Sequence, residues 1–274
     1  MKIGVDIGGT TIHIGVVDGK KLISNTTYPS FGKKATMEET LSYLTAILSK
    51  HVNESTTSIG LGVPSVVDIE KGIVYDAANI PSWKEVHLKE TLEKRFNLPV
   101  KVNNDANCFA MGAAKAVNAT DDELVAAVTL GTGVGIGLIA DGKILNGANT
   151  GLGELTWIPY KDKTLEDWCG KNYFADRNIK PDELYRKAEE GDCEAIRIFA
   201  DYGRELSALM AIVMSAYDPH RVIFGGGISN NHKYFEKTMM EGLRQCFPFP
   251  GSVAKVKVNY LPQSEIAVLG AAEL

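Results

Sequence analysis

The chain has 274 residues and a formal net charge of −5, with 45% hydrophobic and 23% charged residues. This length predicts one large domain or two of ordinary size, and the composition is that of a globular protein. An acidic chain without a basic run argues against a nucleic-acid partner. The apolar runs are too short to span a bilayer, and the N-terminus lacks a secretory signal pattern, so we expect a cytoplasmic protein with no membrane partner.

The four cysteines are widely spaced, and no two of them form a CxxC pair. Zinc knuckles and disulfide frameworks both need closely patterned cysteines, so the sequence predicts neither. We therefore expect reduced thiols at all four positions, which are Cys108, Cys169, Cys193 and Cys246.

The first part of the chain predicts the element order βββαβαβα. Residues 2–7, Thr11–Val17 and Lys21–Tyr28 are typical of three antiparallel strands, with a glycine-rich turn between the first two. The pair Asp18-Gly19 predicts a tight hairpin between the second and third strands. The elements expected after this meander are helix Met37–Val52, strand Ile59–Val63, helix Glu85–Phe96, strand Pro99–Val102 and helix Ala106–Val117. Gly72–Tyr75 is a candidate for one further strand, which this order does not count.

A similar order begins again further along the chain. Glu123–Thr129, Val134–Ile139 and Lys143–Leu145 predict a second meander, again with a glycine-rich turn between its first two strands. The segment Gly147–Trp157 is glycine-rich and predicts a loop. The remaining expected elements are helices Pro181–Glu190, Cys193–Tyr217, His232–Cys246 and Ser264–Leu274, and strands Arg221–Phe224 and Val253–Tyr260.

Strands that alternate with helices in two similar halves predict an α/β fold. The boundary between the halves falls near Val117–Asp122, and no low-complexity linker separates them. We expect an N-terminal domain of residues 1–117, which the last helix, residues 264–274, rejoins. Residues 118–263 would form the C-terminal domain.

The run Asp6-Ile7-Gly8-Gly9-Thr10-Thr11 has the composition of a phosphate-binding turn. Glycine permits positive φ and lets backbone N–H groups approach an anion closely, and threonine hydroxyls add donors. Asp6 would repel phosphate directly, but it suits Mg²⁺, which prefers oxygen ligands and retains its waters. The alternative is a plain hairpin with a solvated Asp6.

Two further glycine-rich turns follow. The stretch Thr129–Gly137 contains four glycines, which would weaken an ordinary strand, so it indicates a second phosphate turn. It is not a P-loop, because no GK[ST] follows, and a strand replaces the helix of a dinucleotide fingerprint. Gly225-Gly226-Gly227 would let a flat adenine base lie against the backbone, and a flexible turn is the alternative.

Asn104 and Asp105 lie at the corner between a predicted strand and a predicted helix. Taken alone, Asp105 would be only a helix N-cap. Because phosphate turns are expected before and after this corner, Asp105 is interpreted as the base that deprotonates an attacking hydroxyl. Asn104 would hold neighbouring hydroxyls, because its amide both donates and accepts.

These stretches, in this order, resemble the ROK family of sugar kinases and regulators over nearly the whole chain. The motifs that carry the resemblance are Asp6–Thr10, Gly62–Pro64, Pro81–Trp83, Asn103–Cys108 and Thr129–Gly137. The resemblance implies the actin-like ATPase (ribonuclease H-like) fold, with two domains, a central cleft and usually a homodimer. It also implies transfer of the γ-phosphoryl group of ATP to a hexose hydroxyl, commonly O6, with Mg²⁺.

The residues and the resemblance together predict a site in which Asp105 is catalytic. The N-terminal domain would bind sugar and phosphate, and the C-terminal domain would bind nucleotide and dimerise. The residues expected to bind ATP and Mg²⁺ are Asp6, Gly8, Gly9, Thr10, Thr11, Thr132, Gly133, Gly226 and Gly227. The residues expected to bind the sugar are Pro64, Ser65, Asn104, Glu154, Trp157 and Glu166.

The sequence departs from the family at the signature E-x-G-H, which here is Glu154-Leu155-Thr156-Trp157. In the family this histidine contacts the sugar and ligates a structural zinc. The following segment, Pro159–Cys169, contains one cysteine and no histidine, and zinc needs about four N or S ligands, so we expect no zinc. Glu166 resembles the family's second sugar-contacting Glu. Trp157 either contacts the sugar or fills core space left by the missing zinc loop.

Three functions stay open. An ATP-dependent hexose kinase is the first, with glucose as the default substrate and mannose, fructose, N-acetylated hexosamines and β-glucosides as alternatives. A ROK-type regulator would need an N-terminal helix-turn-helix, whereas this chain begins on the predicted phosphate strand at Ile3. A non-catalytic sensor of sugar and ATP would agree with the replacement of the family histidine by Trp157. The presence of the predicted base, Asp105, argues against it.

Overall fold

The computed structural model of the protein describes residues 1–77 and 79–274. Its N-terminal part follows the predicted order, with one additional small sheet. The elements there are β1 (Lys2–Ile7), β2 (Thr11–Asp18), β3 (Lys21–Pro29), α1 (Met37–Leu48), β4 (Ser58–Val63), β5 (Val66–Asp68), β6 (Ile73–Tyr75), β7 (Glu85–His87), α2 (Leu88–Phe96), β8 (Val100–Asn104) and α3 (Asp105–Ala116).

The rest of the chain begins with a second meander and continues mainly as helices, with a 3₁₀ turn at Ile228–Asn231. The elements are β9 (Val125–Leu130), β10 (Val134–Ala140), β11 (Lys143–Ile144), β12 (Pro159–Tyr160), β13 (Lys163–Thr164), α4 (Leu165–Cys169), α5 (Asn172–Ala175), α6 (Pro181–Glu189), α7 (Cys193–Tyr217), β14 (Arg221–Gly225), α8 (His232–Cys246), α9 (Pro250–Lys255), β15 (Lys257–Tyr260) and α10 (Gln263–Ala272).

Two five-stranded sheets share one strand order. The first is β3-β2-β1-β4-β8 and the second is β11-β10-β9-β14-β15. In the first sheet β1 pairs antiparallel with β2 and parallel with β4, which pairs parallel with β8. In the second sheet β14 pairs parallel with both β9 and β15, and β10 pairs antiparallel with β11. The predicted α/β class and the predicted repeat of element order are therefore confirmed.

The chain divides into two compact units. The first contains residues 1–119, 137–153 and 263–274, and the second contains residues 120–136 and 154–262. Residues 137–153 thus belong to the first unit, whereas the sequence assigned them to the C-terminal domain. Long-range hydrogen bonds explain the difference, because the side chains of Asn146 and Thr150 bond to Asn103 and to the Val67 N–H, respectively.

Two predicted elements are wrong at their N-terminal ends. The stretch Glu85–Phe96 is not one helix, because Val86 pairs with Val74 across β6 and β7, and the helix begins only at Leu88. The stretch Val253–Tyr260 is not one strand. Pro250 occupies the first turn of α9, where its fixed φ favours a helix, and the strand begins at Lys257.

Buried apolar residues of the first unit form one continuous core. Ile3, Val5, Leu61 and Val102 are buried on the strands of the first sheet. Trp83, from the predicted P-x-W element, is also fully buried, and its indole N–H donates to the Thr40 hydroxyl at 2.7 Å. Among the described residues, no helix combines the length and apolarity required to cross a membrane.

Candidate active site

The corner between β8 and α3 is capped by Asn104. Its side-chain oxygen accepts the N–H groups of Ala106 at 2.9 Å and Asn107 at 3.3 Å. The interpretation of Asp105 as the N-cap is therefore wrong, because Asp105 is the first residue of the helix. Its carboxylate also accepts the Ala106 N–H, at 2.8 Å. The positive end of the helix dipole favours a carboxylate at this position.

Two buried asparagines, Asn103 and Asn107, hold this corner, and the sequence analysis assigned neither of them a role. The side-chain oxygen of Asn103 accepts the Asn104 N–H at 2.8 Å and the Asn107 amide at 3.0 Å. The Asn104 amide itself donates to the Ser65 carbonyl at 3.3 Å. The sequence signal for this network is the cluster of asparagines around Asp105. Amide side chains are normally hydrogen-bonded when they are buried, so such a cluster indicates a hydrogen-bond network.

Glycines allow the first turn of α3 to lie close to two strands. A Cβ on Gly62 would lie 3.2 Å from the Asp105 Cα, and a Cβ on Gly137 would collide with the Ala106 carbonyl oxygen. Gly137, which the sequence assigned to the second phosphate turn, is therefore required by packing in the first unit.

Asp6, at the end of β1, is buried. Burial first, and then repulsion from Asp105, raises the pKa of Asp6 to about 8. Burial and a nearby carboxylate both disfavour the charged form of a carboxyl group. This charge arrangement fits a site that receives a cation, and oxygen donors are the ligands that Mg²⁺ prefers.

The turn after β1 is a closed hairpin. The Gly8 N–H donates to the Thr11 carbonyl at 2.9 Å, and the Ser30 hydroxyl donates to the Gly8 carbonyl at 2.7 Å. The Thr11 hydroxyl lies 3.1 Å from the His13 Nε2. Gly9 and Thr10 form the exposed tip of the turn. Among the residues predicted to bind phosphate here, these two are the most accessible to a ligand.

Pro64 and Ser65, which the sequence predicted to bind the sugar, follow β4. The Ser65 hydroxyl donates to the Tyr75 carbonyl, and the Ser65 N–H donates to the Val63 carbonyl at 2.8 Å. The hydroxyl and the N–H of Ser65 are thus both hydrogen-bonded within the first unit. A sugar hydroxyl would have to compete for the Ser65 side chain, so its part in sugar binding stays a prediction.

The second glycine-rich turn joins β9 to β10. Its Gly131 N–H donates to the Gly133 carbonyl at 3.0 Å, and Thr132 is exposed at its tip. No described atom lies within 4 Å of a Cβ placed on Gly131, so this side of the turn has space for a ligand. The Thr129 hydroxyl, which accepts the Gly135 N–H at 3.2 Å, ties the two strands together.

The third glycine-rich turn combines a packing glycine with an open one. Gly226 has a φ of +92°, and a Cβ there would collide with the Leu130 carbonyl, so its conformation and packing both require glycine. No described atom lies within 4 Å of a Cβ placed on Gly227. Gly227 therefore offers open backbone to a flat ligand, whereas Gly226 does not.

The residues that replace the family signature form a pair. The Trp157 indole N–H donates to Glu154 Oε2 at 3.1 Å, and 64% of Trp157 is exposed. The interpretation of Trp157 as a core residue is therefore wrong. An exposed indole can stack on the apolar face of a sugar while its N–H remains bonded.

Glu166, at the start of α4, lies against the second phosphate turn. Its Oε2 accepts the Val134 N–H at 3.0 Å. Burial raises the pKa of Glu166, and the charge of Glu154 adds to the rise, although the Val134 N–H opposes it. The structure thus brings Glu154, Trp157, Glu166 and the Thr132–Gly133 turn together within the second unit.

Among residues 1–77 and 79–274, no group of three or more His, Cys, Asp or Glu side chains could hold a metal ion. The cysteine of the segment that carries zinc ligands in the family, Cys169, is buried, and burial raises its pKa strongly. Its thiol lies 3.7 Å from the Glu205 carbonyl oxygen. The absence of zinc stays a prediction.

Comparison with known proteins shows which family the chain belongs to. The ROK family model matches residues 2–173 and 162–274. This chain belongs to the ROK family. The N-acetyl-D-glucosamine kinase of Aliivibrio salmonicida (strain LFI1238) is 29% identical to it over 260 residues, which cover 84% of this chain and 85% of the relative.

Two solved ROK structures resemble the chain over almost their whole length. A glucokinase from Streptomyces griseus, in complex with glucose and AMPPNP, has a TM-score of 0.83 and 25% identity, covering 99% of this chain and 98% of that one. The hexokinase from Thermus thermophilus has a TM-score of 0.76 and 26% identity, covering 98% and 96%. The predicted actin-like ATPase fold of this ROK chain is confirmed.

The buried Asp6 generates a pH-dependent prediction. In the metal-free protein the folded state keeps the Asp6 proton up to about pH 8, whereas the unfolded chain releases it near 3.8. The folded state binds more protons between these values, so the free energy of unfolding falls as pH rises through them. Asp6→Asn removes this loss and stabilises the metal-free protein at pH 8 by about 1 kcal/mol or more, since one pKa unit is about 1.4 kcal/mol.

Thermal unfolding of both proteins with chelator present, at pH 5 and pH 8, measures the effect. The matched control is Asp141→Asn, the same chemical change at an exposed hairpin turn, where asparagine tolerates the positive φ of 50°. An Asp6→Asn variant that is no more stable than wild type at pH 8 would contradict the burial argument.

Proposed function

We propose that this ROK chain transfers the γ-phosphoryl group of ATP to a hydroxyl of a hexose, with Asp105 as the general base. ATP-dependent sugar kinase is the enzyme class that the relatives support, because those named above are kinases of N-acetyl-D-glucosamine, glucose and hexoses. The single observation that carries the assignment of the base is the capping of α3 by Asn104, which places the Asp105 carboxylate in the first helical turn.

Asp105 would accept the proton of the attacking hydroxyl. Phosphoryl transfer depends mainly on positioning and charge neutralisation, and a positioned base contributes about 10²–10⁴-fold in rate. Asn104 would hold a neighbouring hydroxyl, because its amide carries a second N–H besides the one given to Ser65.

ATP and Mg²⁺ would be held by the residues that the sequence predicted for them. Asp6 would take Mg²⁺, directly or through water, and the ion would neutralise charge on the phosphates. Gly9, Thr10, Thr132 and Gly133 would cradle the phosphates. Gly227 would provide the open backbone for the adenine.

Glu154, Glu166 and Trp157 would contact the sugar. The indole N–H fixes one oxygen of the Glu154 carboxylate, so that the other can accept a sugar hydroxyl, and the exposed ring can stack on the sugar. Glucose stays the default substrate. Among the alternatives already given, the name of the relative favours an N-acetylated hexosamine, N-acetyl-D-glucosamine. Transfer to O6, a homodimer and a cytoplasmic location are further proposals.

A non-catalytic sensor and a regulator are the competing functions. Either would bind sugar or nucleotide without turnover, so an activity measurement separates them from a kinase.

Asp105→Asn tests the proposed base. The substitution keeps the size of the side chain but removes its ability to accept a proton, so we expect kcat to fall by about 10²–10⁴-fold. ADP release with Mg²⁺-ATP, measured across a panel of hexoses and N-acetylhexosamines, provides the readout. Asp141→Asn is the matched control and should retain wild-type turnover. Turnover that survives in Asp105→Asn would reject the base, and no turnover in wild type would favour the sensor.

Trp157→Phe and Trp157→Ala separate the two proposed roles of the indole. Phenylalanine keeps a ring but loses the N–H that bonds to a charged partner, an interaction worth about 1.5–3 kcal/mol. We expect the KM for the sugar to rise about tenfold in Trp157→Phe and further in Trp157→Ala, while the KM for ATP changes little. An unchanged KM for the sugar in both variants would exclude Trp157 from the sugar site.

A further inference from the structure

The second phosphate turn is held by the segment that contains α4. The Glu166 carboxylate accepts the Val134 N–H at 3.0 Å, immediately after the turn. The Lys171 N–H donates to the Gly131 carbonyl at 3.0 Å, at the start of the turn. Both ends of the turn are thus bonded to one short segment, and one of the bonds has a charged acceptor, which makes it stronger than a neutral one.

Glu166 belongs to a closed ring of three hydrogen bonds. Its carboxylate accepts the Val134 N–H, and its own N–H donates to the Thr156 carbonyl at 2.8 Å. The Thr156 hydroxyl completes the ring by donating to the Val134 carbonyl at 3.1 Å. Thr156 is fully buried. A closed ring of hydrogen bonds with a buried member constrains the relative positions of its residues.

The ring is in direct contact with the backbone of the turn. A Cβ placed on Gly133 would lie 2.7 Å from Glu166 Oε2. A methyl group on Gly133 would therefore require the Glu166 carboxylate to shift. Any displacement of the Glu166 carboxylate changes the space available to Gly133.

The same ring reaches the residues proposed to bind the sugar. Thr156 lies between Glu154 and Trp157, which are hydrogen-bonded to each other at 3.1 Å. Glu154 and Glu166 are close enough for their charges to interact. A ligand that bonds to Glu154 or Glu166 therefore acts on the group that holds Val134.

We propose that Glu166 is a positioning residue that couples the sugar site to the phosphate turn. Through the Val134 N–H, its carboxylate fixes the Thr132–Gly133 turn, and sugar binding at Glu154 and Glu166 strengthens that arrangement. This coupling rests on the proposed function, whereas the fixing of the turn does not. Coupling of two ligands is reciprocal and typically changes each affinity by about 5–150-fold.

Hydrogen exchange tests the fixing of the turn in the ligand-free protein. Glu166→Ala removes the acceptor of the Val134 N–H, so we expect that amide to exchange about tenfold faster or more. Glu166→Gln keeps a carbonyl acceptor and should retain most of the protection. Asp162→Asn, at an exposed position of the β12–β13 turn, is the neutral control. Unchanged exchange of Val134 in Glu166→Ala would overturn the positioning role.

Binding of a non-hydrolysable ATP analogue tests the coupling. Calorimetry with and without glucose or N-acetyl-D-glucosamine should show about fivefold or greater tightening in wild type, and little or none in Glu166→Ala. Equal tightening in both proteins would overturn the coupling. A wild-type protein that binds neither ligand would overturn the proposed function and the coupling together, and the exchange result alone would then decide the positioning role.

A double-mutant cycle provides a second test if Glu166→Ala is unstable. Gly133→Ala introduces a methyl group against the Glu166 carboxylate, so it should weaken binding of the ATP analogue in wild type. The same change should cost less in a Glu166→Ser background, where the smaller side chain leaves room. Additive effects in the two backgrounds would show that Glu166 and Gly133 do not act on one another.

Discussion

The hydrogen bonds that cap helix α3 determine where the proposed base lies. Because Asn104 accepts the N–H groups of Ala106 and Asn107, the helix begins one residue later, at Asp105. The carboxylate is then placed at the positive end of the helix, next to the buried Asp6. The cap depends in turn on Asn103, which bonds to the Asn104 N–H. Loss of this buried amide network would displace the base without removing it.

The two sheets share one strand order, and the first turn of each is closed by its own backbone, through the Gly8 N–H and the Thr11 carbonyl in one and the Gly131 N–H and the Gly133 carbonyl in the other. The first turn is also held by Ser30, whose hydroxyl donates to the Gly8 carbonyl. The second turn is also held by the Glu166 carboxylate and the Lys171 N–H. A turn that is held by a charged side chain from another segment can respond to a ligand that binds that side chain. The proposed coupling therefore belongs to the second unit.

Local patterns carried most of what the sequence predicted. The family, the α/β class and the repeated meander followed from glycine turns, the Asn-Asp corner and strand periodicity. Long-range contacts were not visible. Gly137 and Gly226 resembled ligand-binding glycines, but each is required where a carbonyl oxygen occupies the Cβ position. Pairing with β6 turned Glu85–His87 from helix to strand, and only the folded chain shows that Trp157 is exposed.

Transfer of the γ-phosphoryl group of ATP to a hexose hydroxyl would leave a phosphate ester on the sugar. Phosphorus–proton correlation NMR of the products formed from Mg²⁺-ATP with glucose or N-acetyl-D-glucosamine would detect this ester and locate it. We expect ADP and a sugar phosphomonoester in equal amounts, with the phosphorus coupled to the two protons on C6. ADP without a sugar phosphate, or no consumption of ATP with any hexose, would contradict this transfer.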